Sequence, residues 1–357
     1  MEATRIKKYM LSALLAVTLS ACNMFATPVN TGEKILSELT KTLQPICVGR
    51  LVVEIPSVAY ITNDWGQQIV DTEIESISPP SLNQKAFDTK VNQRETLLKT
   101  SPHNTDNVLL KVKIQLSPES ILFVYREDRS VNTRYKFEAL YWRSGVEYLF
   151  KTGATNKYFN EALEEISTVA KSFIAMPTTD LISLPPGLCI EHGVITGSEF
   201  RSESISVSGR IDEYPGLGFS FSMYSASLPP EPPSMIQRIE ESFGMGDELG
   251  KRLTAATRFV RKGKRKLNGQ LGEEMVLVAT INGVTHMDAD AEFYAELNVL
   301  DKPLIQISLS NPSHDINTRQ PFSKTLTEKE FLALWDSLLN GIKPRPKNTW
   351  GGDSVQK

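Results

Sequence analysis

The chain has 357 residues, of which 40% are hydrophobic and 23% are charged, and its formal net charge is −3. This composition is typical of a globular protein. The weak and evenly spread acidity gives no electrostatic reason to expect nucleic acid or an anionic membrane surface as a partner.

The first 21 residues have the layout of a secretory signal peptide. Three basic residues lie within the first eight positions, and residues 10–21 then form an apolar run that is too short to span a membrane. The run ends in Leu19-Ser20-Ala21-Cys22, with a cysteine directly after the predicted cleavage point. This ending is typical of bacterial lipoprotein signals. The alternative is an ordinary signal peptide followed by a chance cysteine.

Cys22 is therefore predicted to carry lipid and to become the mature N-terminus. Several acyl chains, at about 0.8 kcal/mol for each buried methylene, would anchor such a protein permanently. Asn23 follows the cysteine, where an acidic residue would favour retention in the inner membrane. We expect a periplasmic protein that is held at the outer membrane by this lipid anchor.

The mature chain is long enough for two domains. Removing residues 1–21 leaves 336 residues with a net charge near −5, because the signal carries three basic residues and one acidic residue. We predict a tether over residues 22–43 with a short helix near 34–39, an N-terminal domain over 44–176, a linker over 177–186, a C-terminal domain over 187–346 and a tail over 347–357.

Hydrophobic periodicity predicts two helices and five strands in the N-terminal domain. The helices are expected over residues 82–100 and 160–173. The strands are expected over residues 50–54, 108–116, 120–125, 135–142 and 146–150. Prolines then mark the linker as rigid.

The C-terminal half repeats this pattern. Strands are expected over residues 204–210, 217–224, 258–267, 273–281, 291–297 and 304–310, with a helix over 234–242. A last helix begins at the N-cap Thr327, where Glu330 completes a capping box, and it ends at Gly341. The predicted fold class is α+β, with two domains of related architecture, each an antiparallel sheet packed with helices.

Two cysteines remain after Cys22, and each lies near the start of its half: Cys47 and Cys189. In an oxidising compartment, a disulfide between them is the favoured interpretation. The alternative is two separate buried thiols, because free cysteine is among the most buried residue types.

The sequence contains no recognisable catalytic constellation. Gly218-Phe219-Ser220-Phe221 lacks the second glycine of a nucleophile elbow, and Gly263-Lys264 lacks the glycine-rich turn of a phosphate loop. Two segments carry possible metal donors, His286-Met287-Asp288-Ala289-Asp290 and His314-Asp315, but neither has a metal-ligand spacing. We interpret both as solvated loops, and the other histidines, His103 and His192, as loop residues too. No catalytic residue, metal or cofactor is expected.

The densest charge cluster is the run Arg261-Lys262-Gly263-Lys264-Arg265-Lys266. It could bind an acidic partner or phosphate groups. As a lone run in an acidic chain, it is better interpreted as the solvated end of a hairpin.

Four segments in order along the chain carry a family resemblance. They are Cys47-Val48-Gly49-Arg50-Leu51 leading to Ile55-Pro56, then Gly187-Leu188-Cys189-Ile190 with Gly193, then Lys264 to Glu274, and finally Leu334-Trp335-Asp336-Ser337-Leu338 leading to Ile342-Lys343-Pro344-Arg345-Pro346. Together they resemble the periplasmic immunity proteins that neutralise type VI secretion lipase effectors of the fourth lipase family. The resemblance covers roughly residues 44–346. One departure is Glu191-His192, where an Asp-Gly-like turn is expected.

The resemblance implies a non-enzymatic protein with an N-terminal and a C-terminal immunity domain that binds a secreted phospholipase effector and holds it inactive. Two other hypotheses remain open: a structural envelope lipoprotein without a toxin partner, and a hydrolase with an unrecognised triad. A neighbouring gene that encodes a lipase with a Gly-x-Ser-x-Gly motif would favour the first. The residues that contact the partner cannot be assigned from the sequence.

Overall fold

The computed structural model describes residues 39–62, 66–77, 80–143, 145–175, 185, 187–196, 202–225, 234–243, 254–297, 299–300, 302–315 and 317–345. The predicted signal peptide, Cys22, most of the tether, nearly all of the linker and the tail lie outside the described residues. Within the described part, no helix is long and apolar enough to cross a membrane.

The elements of the N-terminal half alternate short strands with two long helices. The strands are β1 (Leu43–Val48), β2 (Leu51–Pro56), β3 (Ala59–Ile61), β4 (Gly66–Ile69), β5 (Thr72–Ser76), β6 (Pro102–His103), β7 (Asn107–Val108), β8 (Leu110–Ser117), β9 (Ser120–Arg126), β10 (Arg134–Arg143), β11 (Val146–Thr155) and β12 (Phe173–Ala175). The helices are α1 (Gln84–Thr100) and α2 (Phe159–Ser172), the latter preceded by a 3-10 turn, Asn156–Tyr158.

The C-terminal half has the same kinds of element. Its strands are β13 (Leu188–Ile190), β14 (Gly193–Ile195), β15 (Glu203–Ile211), β16 (Tyr214–Tyr224), β17 (Thr257–Leu267), β18 (Gln270–Ile281), β19 (Val284–Phe293), β20 (Leu304–Pro312) and β21 (Ile342–Pro344). Its helices are α3 (Met235–Phe243) and α4 (Glu328–Asn340).

The two halves have related architectures, which confirms the predicted α+β class. In each half, a four-stranded meander is extended at one edge of the sheet by two strands that come earlier in the chain. The strand order is β8-β9-β10-β11-β5-β4 in one half and β17-β18-β19-β20-β16-β15 in the other. The helices follow the same scheme. In each half one helix precedes the meander and one follows it.

The two six-strand sheets are joined edge to edge into one sheet. β4 pairs antiparallel with β15 in the register Gln68↔Ser204, and the short strand β3 also pairs with β15. Two smaller sheets cross the boundary as well, because β12 pairs with β14 and β21 pairs with β2. The halves therefore share backbone hydrogen bonds along several strand pairs and are not separate bodies on a linker.

The helices lie on opposite faces of this sheet. On one face, α2 and α4 bury apolar side chains such as Ile166, Val169, Phe331 and Trp335 in the main core. On the other face, α1 covers only the outer strands of the N-terminal half, and α3 packs its Met235 against β18. The second face is thus covered by α1 at one end and by α3 at the other.

Local signals explain why the helices begin where they do. The Asn83 side chain accepts a hydrogen bond from the Ala86 amide at the start of α1. Thr327 and Glu330 form a reciprocal capping box at the start of α4, as predicted, and both Leu326 and Phe331 beside it are buried.

One strand prediction was wrong. The sequence pattern predicts a strand over residues 291–297, whereas β19 covers Val284–Phe293. The reason is the Asn282-Gly283 turn, in which both residues have positive φ values, 51° and 79°. An Asn-Gly pair in this conformation makes a two-residue hairpin, so β19 must begin directly after it.

Candidate functional site

The sheet face between α1 and α3 forms a polar trough, which is the candidate site. Its floor is made by alternate side chains of β5, β4, β15, β16, β20 and β19, and the cross-strand register places them side by side. The floor residues are Glu73, Gln68, Ser204, Ser206, Ser208, Ser220, Ser222, Gln306, Ser308, Ser310, Asp288 and Asp290.

Seven serines occupy the centre of the trough. Each is half-buried and alternates with a fully buried apolar residue that points into the core, as in Ser220-Phe221-Ser222. Ser220 and Ser308 lie opposite each other with their hydroxyl oxygens 2.6 Å apart. Because every second residue of these strands carries a short polar side chain, this face of the sheet is shallow and hydrophilic, whereas the other face is apolar.

A cavity of about 580 Å³ opens in the trough where the two halves meet. Its lining includes Gln68, Lys136 and Lys151 from the N-terminal half and Ser204 and Ser206 from the C-terminal half. Lys151 forms ion pairs with Glu73 and Glu75. Burial alone would lower the pKa of Lys151, but the two carboxylates together raise it by more, so the pKa is raised. This end of the trough is therefore a network of opposite charges.

The other end of the trough carries three carboxylates at alternate positions of β19. Glu292 accepts hydrogen bonds from Arg238 and Gln306, both at 2.7 Å, and Asp288 lies 3.2 Å from the His286 ring. Asp290 lies between them, opposite Ser308, and has no hydrogen-bond or ion-pair partner among the described residues.

Burial and neighbouring charges shift the pKa values of Asp290 and His286. Burial, together with the negative charge of Asp288, raises the pKa of Asp290 to about 7. Burial, the largest single effect, opposes protonation of His286, but the hydrogen bond to Asp288 and the negative charge of Asp288 together outweigh it, so the pKa of His286 is raised. This part of the trough therefore changes charge near neutral pH.

Ser310, His286 and Asp288 lie close together, which invites comparison with a catalytic triad. However, the Ser310 hydroxyl at 3.1 Å and the Asp288 carboxylate at 3.2 Å both contact the same ring atom, Nε2 of His286. A triad needs the carboxylate on one ring nitrogen and the nucleophile on the other. The arrangement cannot activate Ser310 in that way.

Behind the trough, Cys47 and Cys189 are joined by a disulfide that links the two halves, with their Cα atoms 5.8 Å apart. Next to it, Gly49 and Cys189 exchange two backbone hydrogen bonds of 3.0 and 2.9 Å. Gly49 has a φ of +61°, and a Cβ at that position would lie 2.5 Å from the Met223 side chain. A glycine thus suits the position.

A buried ion pair lies beside the disulfide. The Arg50 guanidinium donates to both Glu203 oxygens, at 2.8 and 2.5 Å, and each residue is 1% exposed. Arg345, also 1% exposed, donates to the carbonyl oxygens of Pro185 and Gly187. Burial, with the charge of Arg50 nearby, lowers the pKa of Arg345 to about 10. These contacts set the relative position of the halves.

Of the four histidines predicted to lie in loops, His192 and His314 lie outside the named helices and strands, whereas His286 and His103 do not. His286 is part of β19, and the buried His103 accepts hydrogen bonds from the amides of Thr105 and Asp106. His314 forms an isolated bridge with Pro321. Among the described residues, no group of three or more His, Cys, Asp or Glu side chains could hold a metal ion.

The basic run lies at the end of a hairpin, as predicted. It forms the part of the edge strand β17 that leads to the hairpin turn at Asn268-Gly269, and its lysines are exposed. Strand alternation divides its charges between two faces, so that Arg261 and Arg265 reach Asp336 on α4 while the lysines face the other way. The hydrogen bond from Arg261 lowers the pKa of Asp336 despite partial burial.

The trough was missed at the level of sequence, although a signal was present. Serines alternate with apolar residues in Ser204 to Ser208, Ser220 to Ser222 and Ser308 to Ser310. This pattern predicts strands with one polar face. The first two segments belong to one hairpin, β15–β16, whereas Ser308 to Ser310 lies far along the chain on β20, and its place beside β16 is visible only in the folded sheet.

Comparisons with known proteins agree with this architecture. A search of curated protein sequences finds no match. Among solved structures, a chain in the crystal structure of the Tle4-Tli4 complex is similar, with a TM-score of 0.74 and 21% identity over 86% of this chain and 99% of that chain. The apo structure of the immunity protein TplEi of the type VI secretion system from Pseudomonas aeruginosa has a TM-score of 0.72 and 22% identity over 86% and 98%.

A third similar structure is TplEi in complex with an "L" peptide, with a TM-score of 0.67 and 20% identity over 85% of this chain and 98% of that chain. Family models give the direct assignment. Residues 44–171 match the N-terminal domain of Tle cognate immunity protein 4, and residues 182–347 match its C-terminal domain. The chain therefore belongs to the Tle cognate immunity protein 4 family, the immunity proteins of type VI secretion lipase effectors.

Proposed function

We propose that the mature chain is a periplasmic lipoprotein that neutralises a type VI secretion phospholipase effector by binding it in the polar trough as a stoichiometric two-domain clamp. The observation that carries this proposal is the trough itself, a wide hydrophilic floor to which both halves contribute and which no described helix covers at its centre. Membership of the immunity family supplies the class of partner.

The similar structures support a protein partner. One of them contains the complex of Tle4 with Tli4, and another contains TplEi with a bound peptide. Tight neutralisation of an enzyme needs a buried area at or above the standard interface of about 1,600 Å². A trough that runs across both halves offers such an area, and holding a lipase lid or blocking its mouth requires no chemistry from the inhibitor.

The rigid connection between the halves suits a clamp. Because β4 pairs with β15 and a disulfide and a buried ion pair lie behind the trough, the floor is preorganised before the effector arrives. Preorganisation reduces the ordering cost of binding and so raises affinity without new contacts.

Titration against the lipase encoded by the neighbouring gene distinguishes a clamp from an enzyme. We expect inhibition of phospholipid hydrolysis to be complete near one-to-one. Ser310→Ala should neutralise within a few-fold of the wild type, because Ser310 contacts only a histidine that cannot activate it. Time-dependent loss of lipase activity at substoichiometric amounts, abolished by Ser310→Ala, would instead identify a hydrolase.

Membrane attachment is predicted to depend on Cys22. In cells that express the full chain, Cys22→Ser should move the protein from the membrane fraction to the soluble fraction, because the acyl chains are lost. The circular dichroism spectrum and melting temperature of the mature domain should not change, since residue 22 precedes the first described strand. Mass spectrometry of the wild-type N-terminus should show an acylated cysteine, and an unmodified terminus elsewhere would contradict the prediction.

A further inference from the structure

Asp290 is the one carboxylate of the β19 row without a partner in the described chain. Its neighbours on the same face, Asp288 and Glu292, are held by His286 and Arg238. A half-buried carboxylate without a hydrogen-bond or ion-pair partner is unfavourable in its charged form, because burial removes water from the charge and no protein group replaces that water. The position is explained if a partner supplies the missing cation.

We propose that the Asp290 carboxylate receives a lysine or arginine side chain of the effector. This proposal rests on the effector-binding function above and specifies what the C-terminal end of the trough recognises. Lysine and arginine carry donors and no acceptor, which matches a carboxylate that only accepts.

The depth of the trough favours a long side chain. On the β20 side, Ser308 lies directly opposite Asp290 and Ser220 directly opposite Ser308, so short hydroxyl side chains border the carboxylate there. On the β18 side, the buried Met275 lies opposite it. A lysine or arginine can extend through this space and keep its stem above the serines. The hydroxyl oxygens then offer further acceptors to the cation.

Among the described residues, no cation is paired with Asp290. On β17, Lys262 faces the same side as Asp290 but is paired with Glu240 of α3, and Lys264 lies opposite Glu273. Arg238 of α3 is paired with Glu292. A metal ion is a poor alternative, because the described residues contain no group of three or more His, Cys, Asp or Glu side chains that could hold one. The proposal therefore assigns the charge complement to the partner.

Binding of a cation beside Asp290 should be coupled to the loss of a proton from its carboxyl group. The pKa of Asp290 is raised to about 7 in the free protein, and an adjacent cation would lower it. Affinity should therefore be full above pH 7 and fall as the pH drops below it, about tenfold between pH 8 and pH 6. The titratable and charged groups of the described residues that face this end from β19, β18, β17 and α3 are His286, Asp288, Glu292, Glu273, Lys262, Lys264, Arg238 and Glu240.

The test measures binding of the purified mature protein to the lipase encoded beside its gene, by calorimetry at pH 6, 7 and 8. Asp290→Asn keeps the shape of the side chain and removes the charge. We expect its affinity at pH 8 to fall by at least about 30-fold, with the pH dependence reduced. Binding of the lipase to the wild type at pH 7 should release about half a proton from Asp290. Binding to Asp290→Asn should lack this contribution.

Two controls separate the possible outcomes. Asp212→Asn removes an exposed carboxylate from the β15–β16 turn and should bind like the wild type. Ser220→Trp fills the trough and should abolish binding whatever the charge of the partner. The melting temperature of Asp290→Asn at pH 8 should equal or exceed that of the wild type, because an unfavourable charge has been removed.

If Asp290→Asn binds normally while Ser220→Trp does not, the trough is the interface and the cation proposal is overturned. If both variants bind normally, the effector docks elsewhere and the proposal is again overturned, while the immunity function stands. If the wild-type protein neither binds nor inhibits the lipase, the proposed function itself fails.

Discussion

Glu203→Gln should destabilise the protein by about 3–5 kcal/mol, the cost typical of removing one partner from a buried ion pair. Both Glu203 oxygens accept from the Arg50 guanidinium, and the two side chains are 1% exposed or less. The glutamine keeps the size but removes the negative charge that neutralises Arg50. A second buried guanidinium, Arg345, lies close enough for its pKa to be lowered by Arg50, so the variant leaves two positive charges in this region.

The measurement is the free energy of unfolding of the mature protein from guanidinium denaturation. Glu54→Gln is a matched control, because Glu54 and Lys343 also form an ion pair between the halves, 2.8 Å apart, but Lys343 is mostly exposed. An exposed pair contributes about 0–1 kcal/mol. If Glu203→Gln costs no more than Glu54→Gln, the buried pair does not stabilise the junction.

A double replacement tests the cause. Replacing both partners by apolar residues of similar volume, Arg50→Met with Glu203→Met, should recover most of the stability lost in Glu203→Gln, because no uncompensated charge is then buried. Arg50→Met alone should remain destabilised, since it leaves the Glu203 carboxylate buried without its guanidinium. Burial raises the pKa of Glu203 even beside Arg50, so that single variant should lose stability further as the pH rises.

The elements that the sequence predicts well are those with strong local signals. α1, α2 and α4 begin and end within two residues of their predicted bounds, because amphipathic spacing and caps act within one helical turn. The two meanders are also recognisable, because each strand alternates apolar and polar residues. These features depend on neighbours in the chain and not on the rest of the fold.

The junction between the halves has no such local signal. β4 and β5 carry the sequences Gly-Gln-Gln-Ile and Thr-Glu-Ile-Glu-Ser, which are too short and too polar to stand out as strands. They exist because β15 pairs with one side of β4 and β11 with β5. The partner of β4 is more than a hundred residues away in the chain and that of β5 more than seventy, so the sequence indicates two halves but not one continuous sheet.

The candidate site shows the same limit. The segment from His286 to Asp290 was interpreted as a loop, yet as part of β19 it places every second side chain on the trough face. Likewise, Arg50 and Glu203 are unremarkable in the sequence because their pairing depends on the junction. Charge and alternation are readable from the chain, whereas the face that each residue occupies follows from long-range pairing.

Removal of the Cys47–Cys189 disulfide should also lower stability strongly. The two cysteines are 142 residues apart in the chain, and a cross-link that closes a loop of that size is worth about 5 kcal/mol in the chain-entropy picture. Residual structure in the reduced, unfolded chain lowers this value, so we expect a loss of about 3–5 kcal/mol. The variant to use is Cys47→Ser with Cys189→Ser, expressed from residue 23 so that no other thiol is present.

The wild-type mature protein treated with a phosphine reductant should unfold at the same guanidinium concentration as the double serine variant, and the reductant should not affect the variant. Because Gly49 and Cys189 still exchange backbone hydrogen bonds and Glu203 still pairs with Arg50, the variant should keep the native far-ultraviolet spectrum and neutralise the lipase at low temperature. Protection should then fail at a lower temperature than in the wild type, since the junction behind the trough opens first. Two free thiols in protein purified from the periplasm, or a variant within about 0.5 kcal/mol of the wild type, would show instead that the cysteines act as separate buried thiols.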